Sequence, residues 1–298
     1  MSWRTVFFSK PCSLSVKNSQ LYCRFQDSTV HDIPIEDISV IVLESNRINL
    51  TSALISECSQ SNIVIFSCDS SHIPCGIYVP FNQHSRFTQT ANSQIKWDTA
   101  FKNRMWQKIV KQKICNQAEI IKKYSFANYV GLKGTCDRVQ SGDKTNCEAF
   151  AAKIYWESIF ENFQRNKNSD IRNSALNYGY AIVRGVVARS LASSGFITCF
   201  GVHHSNDLNA FNLADDIIEP FRPFVDDIAI DIFKNSETSK ELLKEHKQQL
   251  LSVLSTDCIF NDKNSNILTA ASQTTESFMI ASRELNPDKL LLPEFKTA

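Results

Sequence analysis

The hydrophobic pattern changes period once along this chain, and that change limits the possible folds more than any single motif does. Up to about Pro80, short apolar runs alternate with turn-like polar clusters. "RTVFFS", "SLSVK", "QLYCRF", "STVHDIPI" and "ISVIVL" are rich in β-branched and aromatic residues, which predicts strands. "LTSALISECSQ" predicts a short helix and "NIVIFSC" a buried strand. Beyond "HIPCGIYVPFNQHSRF" the period lengthens. Asp98 is placed to cap a long helix, "TAFKNRMWQKIVKQKICNQAEIIKK", and nearly every later periodic segment is helical. The expected fold class is α+β: a β-rich N-terminal domain over residues 1–80, a linker over 81–95, and a larger all-α domain over 96–298. There is no internal repeat and no low-complexity tract.

A length of 298 residues exceeds the roughly 100–200 of one domain, which agrees with two. The hydrophobic fraction of 43%, with 20 phenylalanines, is enough for sizeable cores. Ten cysteines include no C-x-x-C pair, which argues against a zinc ribbon. A chain this rich in core residues needs no disulfide framework, so the cysteines are expected to be mostly buried, reduced thiols. "MSWRTVFFSK" lacks the apolar core of a secretory signal, and no run approaches the ~18 apolar residues of a membrane span. A soluble cytoplasmic protein is expected, with no membrane contact.

The net charge of +1 conceals two opposed segments. Lys96 to Arg138 holds ten Lys/Arg against three Asp/Glu, whereas Asn206 to Glu245 holds four basic and ten acidic residues. A basic helix is usually a solvated face; the functional alternative is a phosphate-binding surface, with Lys108 and Lys111 as candidate contacts.

Three polar residues stand out. Glu148 opens the helix "CEAFAAKIYWESIFENF" on a stripe shared with Ala152, Tyr155 and Ile159, so its carboxylate borders an apolar face and needs a partner. The competing reading is a capping box, since Thr145 and Glu148 have the S/T-x-x-E spacing. Glu219 sits at "IIEPFRP", where Pro220 disfavours α geometry and predicts a kink; its ordinary role would be an i,i+3 ion pair with Arg222. His204, in "GVHHSNDLNAFNLADD", is singly more often a packed histidine than a ligand.

Read together, these segments resemble the CRISPR-associated adaptation endonuclease/integrase family, "Cas-one", over nearly the whole chain. The likeness rests on "CEAFAAKIYW", then a helix "ALNYGYAIVRGVVARSLASSGF", a Gly-x-x-His entry at Gly201–His204, and "ADDIIEPFRP", in that order. The segment "IPIEDISVIVLESNRINLTSALISECSQSNIVIFSCDSSHIPCG" resembles the family's β-domain. Glutamate stands at the last acid where many members have aspartate, and "HHSNDLNAFNLADD" replaces a glycine-, arginine- and proline-containing stretch; with "WRTVFF", both departures resemble the type II branch.

The resemblance implies that Glu148, His204 and Glu219 bind a divalent metal, Mg²⁺ or Mn²⁺, and carry catalysis, with His203 an alternative ligand one residue out of register. It implies an endonuclease and integrase that inserts short foreign DNA fragments at the repeat of a CRISPR array by 3′-OH attack. A homodimer formed through the β-domain and the small "Cas-two" protein are the implied partners, with double-stranded DNA as substrate and Arg222 as a further candidate contact. The alternative is a catalytically inactive DNA-binding assembly scaffold. Removing the charge of Glu148 is expected to leave the metal-free fold as stable or slightly more so, because one acid leaves a cluster.

Overall fold

The computed structural model describes residues 4–70, 72–79, 87–125, 127–165, 167, 170–235 and 241–296. Strands fill the N-terminal quarter and helices most of the remainder, as the change of period predicts. Two four-stranded sheets form the first part. One runs β1 (Arg4–Phe8), β5 (Ile38–Leu43), β7 (Val64–Cys68) and β8 (Pro74–Tyr78), with the first three parallel and β8 antiparallel. The other places β4 (Val30–Pro34), β3 (Gln20–Phe25) and β2 (Cys12–Lys17) in an antiparallel meander, with β6 (Ile48–Leu50) parallel to β2.

Every residue of β5 is buried. Strand side chains alternate between faces, so a strand covered on both sides reads as an unbroken apolar run. Ile41 and Leu43 join Leu14, Leu21, Leu54 and Ile65 in a core between the sheets and α1 (Ser52–Gln60). Val40 and Val42 join Val64 and Phe66 in the other core, which continues without a break into the helices.

The centre of that second core is α6 (Ile171–Ser193), apolar nearly all round and therefore buried nearly all round. It lies against β7 so closely that a Cβ on Gly185 would stand 2.1 Å from the Phe66 ring. Glycine is required there by contact. Arg189 of α6, also buried, donates to the carbonyls of Ser39 (3.4 Å) and Asn62 (3.0 Å), and burial holds its guanidinium down at about 10. Glu44 after β5 meets Lys247 of α9 (Lys244–Leu251) at 2.6 Å, with both side chains buried.

Of the expected linker, residues 81–86 lie outside the described residues, and 87–95 are structured. They form α2 (Phe87–Ile95), where buried Gln94 donates to the carbonyls of Ile197 (2.8 Å) and Phe200 (3.0 Å) and accepts from the Ile197 N–H. The long helix α3 spans Thr99–Lys123, with Asp98 accepting from the Phe101 N–H at 2.7 Å, as its sequence predicts. After it come α4 (Tyr129–Arg138), α5 (Cys147–Ile159), α7 (Asn212–Ile218), α8 (Arg222–Asn235) and α10 (Ile267–Glu284). A hairpin of β9 (Asp257–Phe260) and β10 (Lys263–Asn266) interrupts the helices, turning through Asn261 and Asp262, both at positive φ.

Cys115 and Cys136 are joined as a disulfide between α3 and α4, an exception to the mostly reduced thiols that the sequence predicts. Packing α4 along α3 brings their Cα atoms to 5.8 Å, a proximity that no local sequence signal announces. Cys12, Cys23, Cys58, Cys147 and Cys258 are free and buried. Among the described residues, no helix is long and apolar enough to cross a membrane.

Candidate active site

The two acidic candidates come from segments about 70 residues apart in sequence and meet on one ammonium. Lys113 Nζ of α3 lies 2.6 Å from Glu148 Oε1 and 2.5 Å from Glu219 Oε2. Arg222 Nε donates to the other oxygen of Glu219 at 2.8 Å and spreads its guanidinium 4.5 Å from the Tyr180 ring centroid.

Glu148 reaches this position because it is not needed as a cap. Thr145 does not cap α5; the carboxylate of Asp143 accepts from the N–H groups of Cys147 (2.8 Å) and Glu148 (3.0 Å). The Glu148 side chain is thereby free to project toward α3. Pro220 interrupts the helix more gently than expected: α7 ends at Ile218, a single 3₁₀ turn covers Glu219–Phe221, and α8 starts at Arg222. Glu219 itself keeps helical dihedrals (φ −52°, ψ −45°), because the missing Pro220 N–H is absorbed by a tightened turn. The turn aims Glu219 inward, where it is buried. Burial alone would push its carboxyl up, but Arg222 and then Lys113 hold it down at about 2. Glu219 Oε2 is sealed from solvent and accepts no well-aligned hydrogen bond among the described residues.

Lys113 would be costly in isolation. Burial favours its neutral form, yet Glu219 and Glu148 more than offset this and raise its pKa, so it stays an ammonium.

His204 and its neighbour have different surroundings. His203 lies flat on Trp106, ring centroids 4.1 Å apart and planes within 3°. His204 meets the same indole edge-on and turns Nδ1 to Asp216 Oδ1 at 2.7 Å. Asp216, fully buried, also accepts from the N–H groups of Val202 (2.5 Å), His203 (3.1 Å) and His204 (3.0 Å). Gly201 makes this possible, because a Cβ there would stand 2.7 Å from the Asp216 carboxylate and 2.3 Å from the His204 carbonyl. The hydrogen bond to Asp216 is the main cause of a raised His204 pKa, opposed by burial and helped by the charges of Asp216, Glu219 and Asp215. An imidazole tethered at Nδ1 by a carboxylate presents Nε2 in a set direction, which is how metal-binding histidines are oriented.

The structure thus brings Glu148 and Glu219 together and ties His204 to Asp216, three residues before Glu219. Among the described residues, no three His, Cys, Asp or Glu side chains are gathered as a ready metal cage. The donor chemistry still fits a hard divalent ion: two carboxylate oxygens converge on one point, a cation already stands there, and an oriented imidazole feels the charge of Glu219.

Lys113, Asp143 and Asp216 are functional-site residues to which the sequence alone assigns no role. Lys113 carried a signal, since it stands two helical turns from both Trp106 and Ile120 on the buried stripe of α3. The basic candidates are less free than their charge suggests. Arg222 is committed to Glu219 and Tyr180, Lys108 donates to the Asp288 carbonyl at 3.3 Å, and Lys111 lies 3.8 Å from Asp137 with both side chains exposed. Lys123 pairs with Asp227 at 2.7 Å. With Lys113–Glu219, that pair joins the basic segment directly to the acidic one.

The family profile described as "CRISPR associated protein Cas1" matches residues 6–266. A CRISPR-associated endonuclease Cas1 of Neisseria meningitidis serogroup C (strain 8013) is 34% identical over 99% of this chain and 97% of its own. Among solved structures, a casposase bound to integration product aligns over 95% of this chain and 91% of its own, with a TM-score of 0.75 and 17% identity. A Cas6-RT-Cas1–Cas2 complex aligns over 96% of this chain, TM-score 0.74 and 17% identity, and there the chain spans only 36% of the longer partner.

Proposed function

The chain belongs to the CRISPR-associated Cas1 family, and on that premise we propose that it is a metal-dependent DNA endonuclease and integrase that inserts short foreign DNA fragments into a CRISPR array. What carries the reading is the convergence of Glu148 and Glu219 on a single cation, with the imidazole of His204, oriented by Asp216, within the field of Glu219. Glu148, His204 and Glu219 would hold Mg²⁺ or Mn²⁺. Such an ion, when bound, polarises a phosphodiester and stabilises the oxygen that leaves.

The remaining roles fall to the chain itself. Asp216 keeps His204 turned so that Nε2 faces away from the tether and Nδ1 is occupied. Arg222 neutralises one oxygen of Glu219 and fixes the plane of its carboxylate. Asp143 ties the start of α5 so that Glu148 does not fold back onto its own helix. Water or a DNA 3′-OH can attack the same phosphorus, so hydrolysis and strand joining require one arrangement and two nucleophiles.

The partners follow from the same premise. Double-stranded DNA is the substrate, and a second copy of this chain pairs through the N-terminal sheets. The small Cas2 protein joins the assembly, a proposal supported by the likeness to the Cas1-containing chain of the Cas6-RT-Cas1–Cas2 complex. The test is an in vitro integration assay with the partner protein, with and without Mn²⁺, on wild type and Glu148→Gln. Joining that ignores both the metal and the substitution would remove the metal-ligand reading, and DNA binding without joining under either condition would favour the inactive assembly scaffold.

A further inference from the structure

Lys113 is the group at this site that the proposed ligand set does not explain. It contributes nothing as a ligand, and yet it occupies the point where both carboxylates converge. Glu148, Glu219, Lys113 and Arg222 form a cluster whose formal charges cancel. Hard divalent ions sit about 2.0–2.6 Å from carboxylate oxygens. An ion bridging Glu148 and Glu219 would enter the same wedge that the ammonium fills, within contact distance of it. Two cations so close in a poorly solvated pocket repel strongly, so the two occupancies oppose one another.

We propose that Lys113 is an exchangeable counter-cation: it holds Glu148 and Glu219 together in the metal-free protein and swings out of the wedge when a divalent ion enters. This rests on the reading of the two glutamates as metal ligands. The exchange is a change of position, with no proton lost. It also changes what the pocket attracts. With the ammonium in place the cluster is neutral; with a divalent ion in the wedge and Lys113 displaced, it carries a net positive charge. The displaced ammonium, on its four-carbon stem, moves out on the side of Glu148, the more exposed of the two acids, within reach of an incoming phosphodiester. Metal loading therefore switches on the local attraction for the DNA backbone, and the metal-free protein is spared both a repelling acid pair and an unproductive phosphate contact.

The experiment uses the full-length protein with Mn²⁺ as the probe. Calorimetric titration and thermal shift are compared for wild type, K113M and E148Q. K113M is expected to bind Mn²⁺ on the order of tenfold more tightly, the size of an ordinary coupling between two sites. It should melt lower without metal and show a larger metal-induced rise. If K113M binds Mn²⁺ as wild type does or more weakly, while E148Q has lost binding, the exchange is wrong and the ligand reading stands. If E148Q binds Mn²⁺ like wild type, the ligand reading fails and the exchange with it. Should K113M not fold, reductive methylation of wild-type protein reads the same event: Lys113 is protected without metal and modified with saturating Mn²⁺. Equal protection in both states overturns the proposal.

Discussion

His204 Nδ1 lies 2.7 Å from Oδ1 of Asp216, a carboxylate with no solvent exposure that also gathers three consecutive backbone N–H groups. The loop and the imidazole are therefore oriented by one side chain. Because the folded-state pKa of His204 is raised above its ordinary 6.5, the native protein holds that proton more tightly than the unfolded chain does. The resulting stability is fully present below pH 6.5 and is lost as pH rises through the raised value. The melting-temperature gap between wild type and His204→Gln should be widest below pH 6.5 and narrow as pH rises through the raised value. A gap independent of pH would show that the contact does not bias the proton.

Helix α5 begins on Asp143, and Thr145 is exposed. Replacing Asp143 by Ala should cost about 1–2 kcal/mol, the range for a lost N-terminal cap, whereas Thr145→Ala should stay within about 0.5 kcal/mol. Urea midpoints of the two variants decide between the caps. The reverse ranking would restore the capping box.

Glu148→Gln should keep the fold and lose metal-dependent cleavage and joining. The expectation that it would leave metal-free stability steady or higher does not survive the structure, since Glu148 faces an ammonium at 2.6 Å and not another bare acid. Lys113 keeps Glu219, so the loss should be about 1–2 kcal/mol, below the ~3–5 kcal/mol of stripping a buried charge of its sole partner. Thermal denaturation without metal measures it.

Lys247→Met should be among the most damaging single changes remote from the site. Among the described residues it leaves the buried Glu44 carboxylate with the His72 ring, 3.7 Å away, as its remaining partner, and a cost of about 3–5 kcal/mol is expected. The double variant Glu44→Leu/Lys247→Met should recover most of that loss. Failure to recover would mean that packing, and not the stranded charge, sets the cost.

Reversing charge at Lys108 and Lys111 should weaken DNA binding and lower the log–log salt slope by about 0.9 for each phosphate no longer neutralised. Lys111, the more exposed, should carry the larger change. An unchanged slope would return both to a solvated surface.

The strands, the Asp98 cap and an interruption of the α-helix at Pro220 were legible because each is announced by residues within a few positions. The β9–β10 hairpin was missed, although Asn261-Asp262 is a turn pair that tolerates positive φ; its flanking residues are too polar to read as strands. At the site, Glu148 and Glu219 could be nominated from sequence. Their common neighbour could not, because Lys113 lies 35 residues before one and 106 before the other, and only packing brings it between them. The two opposed charge segments misled in the same way. Part of each exists to neutralise the other across helices, as Lys123 and Asp227 do, and such pairing is invisible to a local count.

The contact of Gly185 with the Phe66 ring has a mechanical meaning. Arg184, the residue before Gly185, grips Asp215 at 2.5 Å, and Asp215 adjoins the carboxylate that steers His204. A methyl group added at 185 would act as a wedge, prising the central helix from the sheet and dragging the Asp215–Glu219 segment with it. The bare backbone at that one position lets a sheet remote from the chemistry serve as the anvil against which the site is kept in register.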